Sequence, residues 1–267
     1  MIIHKADNMK KIWIPVLILL LAAGCASTFK QKRELSKPMV AIAMGKIQQG
    51  EIQGALVELR RAVQVNPKDP EVYYAYALAY WSTEDLDKAL GNIDKAVNLA
   101  GRLGLEHPGL KSEAYNLKGT ILVSMGDHDA AIKAFQNAVK DELYATPEYA
   151  YYNMASVYCS QKLYPEAEQS AKEALQKNPH YAPAWKILGQ SFMNQDKDAQ
   201  AIEALQKAIL EYPQYTEAHW EIAQVYFKTG NTREAVKSLR EVVILDENGL
   251  LGARARQSLQ ELGASVR

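Results

Sequence analysis

A period of 34 residues runs through most of this 267-residue chain. With windows opened at Ser36, Pro70, Ser112, Glu148, Ala182 and Thr216, the twentieth position is alanine six times: Ala55, Ala89, Ala131, Ala167, Ala201 and Ala235. The twenty-seventh is Ala62, Ala96, Ala138, Ala174, Ala208 and Val242, and the eighth is Ala43, Ala77, Gly119, Ala155, Gly189 and Ala223. Position 11 is aromatic in four windows (Tyr80, Tyr158, Phe192, Tyr226), and position 32 is proline in three (Pro67, Pro179, Pro213). Apolar residues at i, i+3, i+4 and i+7 over Leu56 to Val65 and Ile202 to Leu210 make each window a pair of helices. Small residues at three fixed positions let the two helices approach closely, and proline stops the second, because it cannot extend the backbone ladder. No single pair buries its own apolar face, so the pairs must stack.

These residues resemble the tetratricopeptide repeat over Ser36 to Gly249. The resemblance implies an all-α fold: a right-handed α-solenoid of six repeats (36–69, 70–103, 112–145, 148–181, 182–215 and 216–249) with a C-terminal capping helix and tail at 250–267. Two excesses interrupt the period. One, of eight residues, falls between windows 70–103 and 112–145, in the segment that begins Gly101 to Gly109, and the other, of two residues, falls around Asp141 to Pro147. Leu250 to Leu262 reads as a solvating terminal helix, with Arg254, Arg256, Gln257, Gln260 and Glu261 turned outward.

The first 24 residues have the order of a secretory signal. Lys5, Lys10 and Lys11 precede an apolar run from Ile12 to Ala23, which is too short to cross a bilayer core of about 30 Å as a helix. Leu21-Ala22-Ala23-Gly24-Cys25 resembles the bacterial lipoprotein signal, which implies lipid on Cys25 after cleavage. Several acyl chains, at about 0.8 kcal/mol per buried CH₂, anchor a protein stably. Ala26 after the cysteine implies the outer membrane. Residues 25–35 then read as a lipidated, basic tether, and Cys159 is left without an intramolecular disulfide partner.

Charge and motif content argue against other classes. Lysine plus arginine and aspartate plus glutamate both number 31, so no nucleic-acid footprint is expected. Of the five histidines, none stands four residues from another, and His128 reads as part of a solvated turn. No phosphate-binding loop or nucleophile elbow occurs, so the chain is expected to be no enzyme and to need no metal or cofactor beyond the covalent lipid on Cys25.

In tetratricopeptide superhelices the first helix of each repeat lines a concave face. Carried onto this sequence, the resemblance implies a partner-binding groove containing Tyr74, Trp81, Asn116, Tyr149, Tyr152, Lys186, Trp220 and Phe227. That apolar and aromatic lining suits an extended peptide or amphipathic helix. A lipoprotein signal followed by six such repeats looks like the type IV pilus biogenesis/stability lipoproteins (the PilF/PilW/Tgl group). The segment Asp141 to Glu148, running on to Tyr152-Asn153-Met154-Ala155, resembles that group's linker, with methionine and alanine in place of its leucine and glycine. The resemblance implies a pilotin-like role at the periplasmic face of the outer membrane, with secretin subunits as protein partners. An adaptor that docks and regulates cell-wall hydrolases or proteases is the alternative, with the same anchor and fold.

Overall fold

The computed structural model describes residues 30–103 and 109–265. The signal sequence, Cys25 and the centre of the Gly101 to Gly109 excess lie outside the described residues. Within them the chain forms thirteen helices and no strand. Residues 30–48 form α1. It is followed by α2 (Ile52–Val65), α3 (Pro70–Trp81), α4 (Leu86–Leu103), α5 (Leu110–Ser124), α6 (His128–Ala138) and α7 (Pro147–Ser160). Then come α8 (Tyr164–Lys177), α9 (Ala182–Met193), α10 (Asp198–Glu211), α11 (Thr216–Lys228), α12 (Thr232–Leu245) and α13 (Leu250–Glu261). The chain divides into two compact units at Ala114/Tyr115.

In the first unit Val40 and Ala43 of α1 pack with Ala55, Leu59 and Ala62 of α2 and with Val72 and Ala75 of α3. The helix starts before the window that the repeat period sets. Residues 30–35, assigned by their basic composition to the tether, are helical, and α1 continues through Pro38. Its first turns are held by tertiary contacts: Arg33 pairs with Glu71 at 2.9 Å, and the buried Ser36 hydroxyl donates to Asp69 at 2.8 Å. Asp69 also caps α3 by accepting from the Glu71 amide.

In the second unit α7 pairs with α8, α9 with α10, and α11 with α12, and α13 packs against α12. The central core joins Ala155, Ala171, Ala174 and Leu175 to Leu188, Phe192, Ala201, Leu205, Ala218 and Ile222. Ala223, Leu239, Val242, Ala255 and Leu259 close its end. The Asp141 to Thr146 linker folds on itself: Asp141 accepts from the Leu143 and Tyr144 amides, and the Tyr144 side chain is buried while Leu143 faces solvent.

Three rules of the 34-residue register become physical here. First, position 8 is small because position 24 of the same repeat occupies its space. A Cβ on Gly119 would lie 2.4 Å from the Phe135 ring, and one on Gly189 would lie 2.6 Å from Leu205 Cγ. Second, position 15, in the turn between paired helices, is left-handed in all six repeats. Gly50, Gly126 and Gly230 adopt it, with φ of 77°, 81° and 77°, and so do Glu84, Lys162 and Asp196, with φ of 59°, 61° and 56°.

Third, position 4 reaches back six residues to the carbonyl of the proline that ends the preceding repeat. The Tyr73 hydroxyl bonds Pro67 at 2.9 Å, Trp185 Nε1 donates to Pro179 at 2.8 Å, and His219 Nε2 meets the Pro213 oxygen at 2.9 Å. A carbonyl in the turn just beyond the helix end is thereby satisfied.

Two stability changes follow. Gly189→Ala drives a methyl into Leu205 and is expected to cost about 1–3 kcal/mol in chemical denaturation. Lys162→Gly removes the Cβ from a left-handed position and is expected to stabilise by up to about 1 kcal/mol.

Candidate protein-binding face

Positions 2, 5, 9 and 12 of a helix recur at intervals of three and four residues and so share one face. In the second unit that face of α7 carries Tyr149, Tyr152 and Cys159, that of α9 carries Lys186, and that of α11 carries Trp220 and Phe227. Their backbones are fixed by the small-residue packing on the opposite side, where Ala150, Ala155, Ala184 and Ala218 are fully buried.

The structure brings Tyr149 and Tyr152 together around Tyr181 and pairs Lys186 with Glu221. Tyr149 and Tyr152 both stand edge-on to Tyr181, with ring centroids 5.2 and 5.5 Å away and interplanar angles of 90° and 85°. Tyr181 is the N-cap residue of α9, and Tyr215 is its counterpart at α11, 34 residues on. Burial pushes the Tyr181 phenol well above its ordinary range, and the neighbouring Tyr152, Tyr149, Tyr215 and Glu148 push the same way. Tyr215 is raised by burial and then by Tyr152, Glu217 and Glu221. Burial, the larger cause at both phenols, keeps them neutral.

Lys186 Nζ lies 3.5 Å from Glu221 Oε1, with side chains only 18 and 15% exposed. This distance is beyond that of a good charge-assisted hydrogen bond. The other carboxylate oxygen, Oε2, is buried and has no hydrogen-bond partner among the described residues. Burial lifts Glu221 from its ordinary 4.5 to about 7; Lys186 opposes the shift and Glu217 adds to it. The Cys159 thiol, next to this pair, is pushed up to about 11 by burial, so it is a packing group and not a nucleophile at neutral pH.

Trp220 and Phe227 line a separate cavity of about 230 Å³ with Gln224, Leu239, Ser258 and Leu262, at the junction of α11, α12 and the capping helix. Phe227 is 61% exposed at its rim. Asn116 is engaged by its neighbour, since Asn153 Nδ2 donates to its Oδ1 at 3.0 Å. In the first unit Tyr74 lines a cavity of about 330 Å³ with Val40, Met44, Leu110, Arg33, Glu71 and Glu113. There burial and the nearby Glu71 raise the Glu113 carboxyl. Trp81 is half-buried at the end of α3.

Three members of the tyrosine bay lay outside the carried-over positions: Tyr181 and Tyr215 at the N-caps, and Glu221 one place beyond position 5. The 34-residue spacing of Pro179-x-Tyr181 and Pro213-x-Tyr215 is the signal that marks the first two. His128, read as part of a solvated turn, instead opens α6 half-buried, with Nδ1 buried and unpartnered among the described residues. No group of three or more His, Cys, Asp or Glu side chains among the described residues is placed to hold a metal ion. No described helix is long and apolar enough to cross a membrane.

On the other side of the same unit, burial opposes ionisation of Glu168. Hydrogen bonds from Lys172, Lys197 and Gln195 nevertheless hold it down to about 2, so it remains a structural anion.

Comparison with known proteins agrees with the repeat register. Models of the tetratricopeptide (TPR) repeat match residues 46–83, 70–102, 116–182 and 195–259. A TPR repeat-containing protein of Methanocaldococcus jannaschii is 31% identical over 105 residues, 39% of this chain and 17% of that protein. The Hsp70-Hsp90 organizing protein of Triticum aestivum is 23% identical over 217 residues, 79% of this chain and 35% of its own length. The chain thus spans about a third or less of the curated relatives it matches. Among solved structures, PilW, a type IV pilus biogenesis factor, superposes with a TM-score of 0.71 at 19% identity, covering 82% of this chain and 97% of that one. Pseudomonas aeruginosa PilF gives 0.73 at 15% identity, covering 85 and 99%. At such identities the likeness is one of fold.

The Glu221 shift sets a pH dependence. A carboxyl whose folded pKa lies above its unfolded one binds more protons when folded, so stability falls as pH rises from about 4.5 through 7. Glu221→Gln is expected to flatten that slope and to stabilise the protein at pH 8 by on the order of 3 kcal/mol at most. Thermal unfolding of both forms at pH 5 and pH 8 measures the difference.

Proposed function

This chain is a tetratricopeptide-repeat protein, and from that premise we propose that it is an outer-membrane lipoprotein acting as a pilotin for the secretin of a type IV pilus. The carrying observation is the face of α7, α9 and α11. It keeps Tyr149, Tyr152, Trp220 and Phe227 half-buried or exposed on backbones that small-residue packing holds rigid. Large aromatic side chains presented in this way are the material of protein-binding hot spots. Similarity in fold to PilW and PilF supports the choice of pilus assembly, as does the resemblance of the Asp141 to Ala155 segment to the linker of that lipoprotein group.

The mechanism needs binding energy and tethering only. Acyl chains on Cys25 hold the protein at the periplasmic face of the outer membrane, and the repeats engage secretin subunits there. Confinement raises the effective concentration of subunits beside the membrane and so favours their multimerisation.

The test is a strain lacking the gene, its membranes probed on a denaturing gel for heat-resistant secretin multimers. Multimers are expected to be lost, restored by the wild-type gene, and not restored by Cys25→Ala or by Trp220→Ala with Phe227→Ala. Normal multimers and pili in the deletion strain would overturn the pilotin reading.

A further inference from the structure

We propose that the bay formed by Tyr149, Tyr152, Tyr181, Tyr215 and Glu221 is a subsite for a cationic side chain, arginine or lysine, of the bound protein partner. The inference rests on the protein-binding reading and specifies what one part of the face recognises.

Four tyrosines come from three successive structural positions of the second unit: two from α7 and one from each N-cap of α9 and α11. Their rings supply electron-rich faces of the kind that attract ammonium and guanidinium groups. Tyr149 is 44% exposed, and Tyr152, Tyr181 and Tyr215 are half-buried. The carboxylates whose charge reaches the tyrosines are Glu148, Glu217 and Glu221. Glu148 is already engaged, accepting from Asn178. Glu221 is not fully engaged: its ion pair with Lys186 is long, and Oε2 has no partner among the described residues. A buried acceptor left in this state costs free energy, which a donor brought by the partner would recover.

Lys186 is the cation whose charge reaches Glu221, against the carboxylates of Glu217 and Glu221. The balance therefore favours an incoming cation over an anion. The groups facing Glu221 are Lys186 of α9, Cys159 of α7, Tyr215 at the start of α11 and Glu217 one turn away. Burial lifts the Glu221 carboxyl to about 7, so cation binding should draw a proton from it and weaken below pH 7.

The test uses the whole protein with ¹³C-labelled tyrosine and three probes: acetyl-arginine amide, its neutral isostere acetyl-citrulline amide, and acetyl-glutamate amide. Tyrosine ring shifts are expected to saturate at millimolar arginine probe and to require at least fivefold more citrulline probe. Glu221→Gln is expected to abolish that preference, and Tyr149→Ala, an exposed change that spares the core, to weaken arginine binding about fivefold. Absence of a saturable shift, equal binding of arginine and citrulline, an unchanged preference in Glu221→Gln, or tighter binding of the glutamate probe would each overturn the proposal. Secretin assembly is not involved in this measurement. An arginine preference with normal multimers in the deletion strain would sink the pilotin reading alone, and the converse would sink the subsite alone.

Discussion

Close approach of two helices over a small residue is the constraint on which the rest of this structure depends. Phe135 fills the space that a side chain at Gly119 would take, and Leu205 does the same at Gly189. Where position 24 is itself alanine, at Ala171, position 8 carries Ala155, and both are fully buried. In these three pairs the two positions trade volume, as close packing of interiors requires. With the inner seam filled in this way, larger side chains on the first helix of a pair have two places left. They pack between neighbouring pairs, as Phe192 and Ile222 do, or they stand on the open face, as Tyr149 and Phe227 do.

The same economy governs the backbone. Each turn between paired helices needs one left-handed residue, and each proline that ends a pair leaves a carbonyl to be satisfied. Glycine meets the first need in three repeats, while Glu84, Lys162 and Asp196 bear the strain in the others. The side chain at position 4 meets the second, through a phenol, an indole and an imidazole in turn. The common requirement is a ring that ends in a polar atom at a set reach. In these three repeats the residue at position 4 varies while the hydrogen bond is kept.

What was legible in the sequence was whatever the 34-residue period fixes. Alanine at positions 20 and 27 and small residues at position 8 located the helix pairs, because their size is dictated by one neighbour at a fixed offset. Residues 30–35 were not legible, because their composition is that of a tether and their order comes from Arg33 and Ser36 meeting Glu71 and Asp69, which lie more than thirty positions away. On the candidate face, Tyr149, Tyr152 and Lys186 stand at positions carried over from the repeat family. Glu221 does not: one place off the expected position is ordinarily a solvated charge, and only the packing of α9 against α11 buries it.

Burial of Glu221 beside Lys186 is a local cost that the architecture is suited to bear. In a solenoid each repeat contacts its neighbours only, so an unfavourable group in one seam weakens that seam and leaves the others unaffected. The seams on either side are dense: Ala184, Leu188, Ala201, Leu205 and Ala208 on one side, Ala223, Val242, Ala255 and Leu259 on the other, all buried. A carboxylate with one oxygen unsatisfied can therefore persist between two well-packed repeats, where a single small core would lose much of its marginal stability to it. Its cost is set where α9 packs against α11, by burial that Lys186 only partly offsets.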